Sequence, residues 1–257
     1  MIRQIDGDYR DLLEFCGRDS FGTRVAASEK AYSSLGGFAR FYAQEIDGEI
    51  SAAASCVDGN FTLCADLERA DSEEIICFIR ASGYKTLISD AKFYKKIGAE
   101  PSLTGAVVSF EGYDSLCGNK TVIEYSMSED YKTIYSILQV CGFSDIGSYY
   151  DWLADISHRV RRGVSKIFIA KYGAIPCATA SVLFQTDTNA FMGGVGTLPA
   201  FRSRGVAGAL VSDIARDLTQ TGFGVTLFCR DSLLEFYEKN GFIKNGSWAI
   251  MKAEEDK

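Results

Sequence analysis

The stretch PAFRSRGVAGAL, residues 199–210, decides how the second half of this sequence folds. Glycines and two arginines surround a turn of small residues, which runs directly into a segment of helical apolar spacing. Glycine has no Cβ, so the backbone can come close to a ligand at Gly205. The first N–H groups of a helix lack backbone partners, and Arg202 and Arg204 add full charges beside them. The stretch therefore predicts a site for a phosphate or pyrophosphate.

Spacing alone leaves a second interpretation open, an ordinary strand-to-helix turn with two solvated arginines. Short glycine patterns are weak evidence by themselves. The stretch lacks the G-K-[ST] ending of a Walker loop. It also does not form a G-x-G-x-x-G fingerprint, although GGVG occurs nearby at 193–196.

The composition narrows the class of protein. The chain has 257 residues, of which 47% are hydrophobic and 24% charged, as expected for a globular protein of one or two domains. Its net charge of -7 disfavours a nucleic-acid partner. Residues 1–20 lack the pattern of a signal peptide, and no run approaches the ~18 apolar residues of a membrane span. We therefore expect a cytoplasmic protein without a membrane partner.

Cysteine and histidine usage argues against metal and thiol chemistry. The eight cysteines are scattered without a C-x-x-C pair, and His158 is the single histidine. No zinc-type spacing results, and nothing in the local sequence pairs a cysteine with His158. We expect the cysteines to be small buried hydrophobic residues, and we expect no metal.

Two pairs of segments indicate an internal duplication. DGEISAAAS (47–55) resembles YGAIPCATAS (172–181), and KFYKKIGAE (92–100) resembles EFYEKNGFI (235–243). The members of each pair occur in the same order in the two halves. We predict two domains, 1–115 and 119–257, with the boundary in the glycine-containing polar stretch 111–120.

Apolar spacing divides the second half into strands and helices in the order β-α-α-β-β-β-α-β-α-β. Ser148 and Asp151 occupy capping-box positions at the start of the second helix. The predicted strands are 121–125, 165–173, 177–185, 190–197, 224–229 and 247–252, and the predicted helices begin at 128, 148, 206 and 232.

Three features carry a resemblance to a known family. Residues 202–207 fit the R/Q-x-x-G-x-G/A loop of the GNAT superfamily of acyl-CoA-dependent N-acyltransferases, and Pro199 and FYEKNGF at 236–242 also resemble that family. The resemblance is specific over about 120–252. It implies an α/β (α+β) fold of two tandem GNAT-like domains, each with a central, mostly antiparallel mixed sheet flanked by helices.

The resemblance also implies roles for particular residues. The backbone of the loop would hold the pyrophosphate of acetyl-CoA, and Gly196 and Thr197 would bind the pantetheine arm and the thioester carbonyl. Tyr237 would be the general acid that protonates the departing sulfur, with a core aromatic residue as the alternative. The residues of the implied pyrophosphate loop are Arg202, Ser203, Arg204, Gly205, Val206 and Ala207.

The first half keeps the outline of the family but lacks the loop. The segment between 60–68 and 83–90 contains no R-x-x-G-x-A, and it carries acidic residues where a pyrophosphate would bind. Like charges repel, so we expect a degenerate repeat that binds no CoA. The acidic residues are Asp66, Glu68, Asp71, Glu73 and Glu74.

The general base is not identified by the sequence. The strand 190–197 contains no acid, so a water chain or an acid from the acceptor side is implied. Asp151, Asp155 and Asp187 are candidates, each with a solvated or capping carboxylate as the alternative. His158 and the neighbouring arginines at 159, 161 and 162 fit either surface charge at a helix C-terminus or a site for an acceptor carboxylate. Arg230 replaces the asparagine of many relatives, which puts the usual pantetheine contact in doubt.

These features favour an enzyme that acetylates the primary amine of a small molecule. A non-catalytic acyl-CoA sensor or accessory module is the second interpretation, favoured by the missing base. A tandem-GNAT aminoacyl or thiol acyltransferase is the third, although a protein that uses aminoacyl-tRNA would be more basic than this chain. The sequence indicates neither the acceptor nor the oligomeric state.

Overall fold

The computed structural model describes residues 1–7, 9–112 and 123–253, and the chain divides into two compact units. Unit 1 contains Met1–Val107, Phe228–Asp231 and Asn245–Lys257, and unit 2 contains Val108–Leu227 and Ser232–Lys244. Most of the predicted boundary stretch 111–120 lies outside the described residues. The two domain ranges therefore stay a prediction.

The first half of the chain supplies most of unit 1. Its elements are β1 Ile2–Gln4, α1 Arg10–Cys16, α2 Ser20–Tyr32, β2 Ala39–Ile46, β3 Glu49–Val57, β4 Asn60–Ala65, α3 Ser72–Ala81, β5 Thr86–Asp90, α4 Ala91–Lys96 and β6 Leu103–Phe110.

The elements of the second half follow the predicted order, which is also the order of elements in the first half. They are β7 Glu124–Met127, α5 Tyr131–Val140, α6 Tyr149–Arg161, β8 Lys166–Tyr172, β9 Ile175–Gln185, β10 Asn189–Thr197, α7 Val206–Gln220, β11 Gly224–Cys229, α8 Leu234–Glu238 and β12 Phe242–Lys252. The predicted strand 121–125 begins outside the described residues, and the observed strand is β7.

The sheets of the two units share one pattern. In unit 1, strands β1 to β4 are antiparallel neighbours and β4 pairs with β5 in parallel. In unit 2, strands β7 to β10 are antiparallel neighbours and β10 pairs with β11 in parallel. The predicted mixed α/β fold is therefore confirmed. No helix among the described residues is long and apolar enough to cross a membrane.

The end of the chain completes the sheet of unit 1. Strand β12 pairs antiparallel with β5 from Trp248↔Asp90 to Lys252↔Thr86. Ala249 and Met251 of β12 are buried in the same cluster as Phe61, Leu87 and Phe93. The last strand thus contributes to the core formed mainly by the first half.

A close approach around Gly105 of β6 gives a testable prediction on stability. A Cβ at Gly105 would lie 2.2 Å from the Cys229 carbonyl oxygen and 2.8 Å from the Trp248 ring. The indole Nε1 of Trp248 donates to that oxygen, so neither group can move freely. We expect Gly105→Ala to lower the free energy of unfolding by about 1–3 kcal/mol, measured by urea denaturation.

Gly36→Ala is the control for that substitution. No heavy atom lies within 4 Å of a Cβ built at Gly36. The free energy of unfolding of Gly36→Ala is expected to stay near that of the wild-type protein. If the two variants have the same urea midpoint, the packing described around Gly105 is wrong.

Candidate functional site

A turn of irregular backbone connects strand β10 to helix α7. The strand ends at Thr197, and a short 3-10 turn follows at Pro199–Phe201. Ser203 and Gly205 have positive φ angles of 58° and 74°, and α7 begins at Val206. Glycine adopts this left-handed backbone readily, whereas a serine there is strained by about 1–3 kcal/mol. Such strain is concentrated at ligand-binding turns.

The N-terminus of α7 has no side-chain cap among the described residues. Gly205 is the N-cap, no side chain caps the helix, and its first turn has no acidic residue. The first backbone bond of the helix runs from Ala209 N to Gly205 O, so the N–H groups before it have no partner within the helix. The short helices α1 and α8 also lack a side-chain cap. The remaining helices begin with a side-chain oxygen that accepts from the first turn: Asp19 for α2, Asp71 for α3, Asp90 for α4, Asp130 for α5 and Ser148 for α6.

The two arginines of the turn have different contacts. Arg202 Nε donates to the Thr197 carbonyl oxygen at 3.0 Å and thereby closes the turn. The guanidinium carbon of Arg204 lies 5.5 Å from the ring centroid of Tyr172 and 5.7 Å from that of Phe201. A cation–π contact holds the side chain without removing its charge. The turn therefore combines positive charge with N–H groups that have no partner within the helix.

Strand β10 contains a β-bulge that the sequence did not predict. Gly193 pairs with Ser181 and Gly196 with Thr179, so three steps along β10 oppose two steps along β9. Gly194, within the bulge, has a φ of 60°. A bulge bends its strand and interrupts the ladder. The GGVG segment was the sequence signal for it.

The parallel pairing of β10 with β11 is confined to the start of both strands. It runs from Asn189↔Gly224 to Met192↔Leu227 and stops at the bulge. Residues 193–197 continue β10 beyond that register toward the turn. Backbone groups of an interrupted ladder can serve an extended ligand, which is the role predicted for Gly196 and Thr197.

Gly196 and Thr197 are also packed against other parts of the chain. A Cβ at Gly196 would lie 3.1 Å from Cys141 Sγ, so the end of α5 packs closely on β10 there. The hydroxyl oxygen of Thr197 is buried and has no hydrogen-bond partner among the described residues. The close packing explains the glycine without a ligand, so the binding role of both residues stays a prediction.

Tyr237 lies in α8 and is 6% exposed. Its ring centroid is 5.0 Å from that of Phe236 and 5.6 Å from that of Phe242, both in edge-to-face geometry. The first-half counterpart Tyr94 is also buried, and its hydroxyl donates to the Leu87 carbonyl oxygen at 2.6 Å. This packing suits a core aromatic residue, and the acid role of Tyr237 remains a prediction.

The turn between β4 and α3 in unit 1 is built differently. The Asp71 carboxylate accepts from the N–H groups of Glu73 and Glu74, at 3.1 Å and 3.0 Å. The first turn of α3 also carries the two glutamates. A carboxylate of the chain thus caps α3, whereas no side chain among the described residues caps α7.

The charged groups of α6 are only partly as predicted. Arg159, expected at the surface or in an acceptor site, is 8% exposed and pairs with Asp155 at 2.7 Å. It also donates to the Leu183 carbonyl oxygen and lies 5.2 Å from the Phe184 ring, because α6 packs on β9. The interpretation as surface charge is therefore wrong for Arg159, and a role in binding an acceptor carboxylate stays a prediction. Asp151 accepts from the hydroxyl of the N-cap serine of α6.

The cysteines and acids of the described residues do not form a metal centre. No group of three or more His, Cys, Asp or Glu side chains among those residues is arranged to hold an ion. Cys16, Cys64, Cys177 and Cys229 are buried as predicted, whereas Cys77 is exposed. Burial raises the pKa of the Cys64 thiol well above its usual value.

Comparison with solved structures defines the fold as the tandem GNAT fold. A tandem GNAT protein from the clavulanic acid biosynthesis pathway has a TM-score of 0.59 at 13% identity, with 98% of each chain covered. A GCN5-related N-acetyltransferase from Sphaerobacter thermophilus has a TM-score of 0.60 at 15% identity, covering 97% of this chain and 94% of that one. A GNAT-family acetyltransferase from Colwellia psychrerythraea has 0.59 at 9% identity, covering 99% and 100%.

The second half of the sequence is also similar to a known family. Residues 127–242 match the sequence model of the Acetyltransferase (GNAT) family. No curated protein matches the sequence at a significant level. The resemblance identified from the loop and the FYEKNGF motif is confirmed.

Proposed function

We propose that the protein transfers an acetyl group from acetyl-CoA to the primary amine of a small molecule by direct attack. The observation that carries the proposal is the uncapped N-terminus of α7, with its two arginines, inside a segment that matches the GNAT acetyltransferase family. The N–H groups of Val206 and Ala207 would donate to the pyrophosphate, and the arginines would add charge. The net charge of -7 favours a cationic acceptor such as an amine.

The reaction would join the amine nitrogen to the thioester carbon and break the carbon–sulfur bond. An alkylammonium with a pKa near ~10.4 is about one part in 10³ free base at pH 7, which costs roughly 4–5 kcal/mol. Strand β10 carries no acid, so the amine proton would leave through water. Tyr237 would donate its hydroxyl proton toward the departing sulfur.

A titration of the full chain with CoA tests the nucleotide part of the proposal. We expect one CoA per chain by calorimetry, because the bare helix N-terminus occurs at α7 whereas Asp71 occupies the corresponding position at α3. The control is Asp71→Ala, which removes that cap. One site is still expected, because Glu73 and Glu74 keep the first turn of α3 negative. Two equivalent sites, or no binding, would contradict the proposal.

A non-catalytic acyl-CoA sensor is the second candidate. The absence of an acid on β10 and the burial of Tyr237 favour it. Binding of CoA is expected for both candidates, and turnover distinguishes them.

A further inference from the structure

We propose that Asn240 is a positioning residue that fixes Tyr237 relative to the N-terminus of α7. The proposal rests on the proposed function, in which α7 binds the pyrophosphate and Tyr237 lies at the thioester. No pattern in the sequence assigned a role to Asn240 or to its partner Gly208. Both residues lie within unit 2.

Asn240 holds the end of the helix that carries Tyr237. Its side-chain Nδ2 donates to the Phe236 carbonyl oxygen at 2.6 Å. Its backbone N–H donates to the Tyr237 carbonyl oxygen at 2.9 Å. Helix α8 has five residues, too few to be stable alone, and the side-chain bond of Asn240 adds to the backbone bonds that end the helix.

The same residue packs against the first two turns of α7. A Cβ at Gly208 would lie 2.4 Å from Asn240 Oδ1 and 3.1 Å from its Cγ. One turn later, the buried hydroxyl of Ser212 donates to the Asn240 carbonyl oxygen at 3.1 Å. Positions 208 and 212 lie on one face of a helix. Asn240 therefore touches α7 at two points, and at the first of them a Cβ on residue 208 would displace the Asn240 side chain.

These contacts set the spacing between two parts of the site. The pyrophosphate anchor and the proton donor act on opposite ends of one pantetheine arm, so their separation must match its bound length. A misplacement of about 1 Å can lower a rate about 10²-fold even when no reacting group is lost. Asn240 would act through Tyr237 and not on the substrate.

The test measures kcat, the KM for acetyl-CoA and the Kd for CoA in Asn240→Ala, with thiol release from acetyl-CoA as the activity. We expect kcat to fall at least about tenfold, because Tyr237 loses its fixed position. We expect KM and Kd to stay within about twofold, because the N–H groups of α7 are unchanged. Rates are normalised to the CoA-binding capacity of each preparation, which removes the effect of unfolded protein.

Two further variants, Gly208→Ala and Gly208→Ala/Asn240→Ala, complete a double-mutant cycle between positions 208 and 240. The added methyl group clashes with Asn240 in the single variant and finds room in the double one, so the double variant is expected to be less impaired than the product of the two single effects. Asn189→Ala is the matched control. Asn189 Oδ1 lies 2.8 Å from a Cβ built on Gly224, so this pair resembles Asn240 and Gly208. Asn189, however, lies at the start of β10. Its normalised kcat is expected to equal that of wild type.

The outcomes separate this inference from the proposed function. Wild-type protein that binds CoA and turns over, with Asn240→Ala at wild-type kcat, overturns the positioning role alone. Equal losses in kcat and CoA affinity, or strictly multiplicative effects in the cycle, also overturn it. Wild-type protein that binds no CoA contradicts the proposed function, and the positioning role is then wrong as well.

Discussion

Tyr237→Phe is expected to lower kcat for acetyl transfer by about 10²–10⁴-fold, the usual effect of losing one positioned acid. The substitution removes one hydroxyl and keeps the ring, so the contacts with Phe236 and Phe242 are retained. A departing thiolate without a donor in a partly dry cleft is harder to expel. The loss should appear equally in kcat and kcat/KM, because the hydrogen bond strengthens only as charge develops on sulfur. CoA affinity should stay near wild type.

Tyr94→Phe is the matched control for this experiment. Tyr94 occupies the corresponding position in the first half, and its hydroxyl donates to the Leu87 carbonyl oxygen. Removing it deletes one buried hydrogen bond, which costs about 0.5–1.5 kcal/mol of stability. Turnover should not change in the folded protein. If Tyr237→Phe keeps full kcat while chemistry limits the rate, Tyr237 is a core aromatic residue and another group donates the proton.

Gly205→Val is expected to weaken CoA binding at least about tenfold, as measured by calorimetry. Gly205 has a φ of 74° at the N-cap of α7, and a β-branched residue there is a strong outlier. The backbone would leave the left-handed region and turn the first N–H groups of the helix away from the pyrophosphate. A helix N-terminus stabilises a bound anion by up to ~2 kcal/mol, and charge-assisted hydrogen bonds add to this.

Gly222→Val controls for strain in that comparison. Gly222 follows the other end of α7 with a φ of 91° and has open space around its Cβ position. Both variants should lose comparable stability, but Gly222→Val should bind CoA like wild type. Equal CoA affinities in the two variants would show that the turn at Gly205 is not the pyrophosphate site.

The sequence sufficed for the features that depend on local signals. The start of α7 at Val206 follows from a helical apolar pattern that begins after the glycine turn. The element order of the second half follows from apolar spacing and from caps such as Ser148, which accepts from Asp151 N. Each of these signals lies within a few residues of the structure that it predicts.

Features that depend on distant partners could not be predicted in this way. The bulge at Gly194 is defined by the register against β9, although GGVG marked the place. Four cationic or titratable residues at the end of α6 suggested surface charge, and Arg159 is buried only because β9 offers it a carbonyl oxygen and an aromatic ring. A pattern along one helix does not reveal what the helix packs against.

The partner of the last strand is a further example. The alternating segment 247–252 predicted a strand, and β12 is that strand. Its pairing with β5 brings together residues that are far apart in the sequence, such as Asp90 and Trp248. The contact between Gly208 and Asn240 is of the same kind, since neither residue type indicates the other.

The most direct test of the central claim is release of free thiol from acetyl-CoA in the presence of polyamines, amino acids, aminoglycosides and peptides. Mass spectrometry of the same reactions identifies the acetylated product. The account predicts that at least one small primary amine stimulates thiol release and is recovered acetylated, and that Gly205→Val lowers both signals at least about tenfold at low acetyl-CoA. A wild-type protein that binds CoA but releases no thiol with any amine would contradict an acetyltransferase and leave an acyl-CoA sensor as the function.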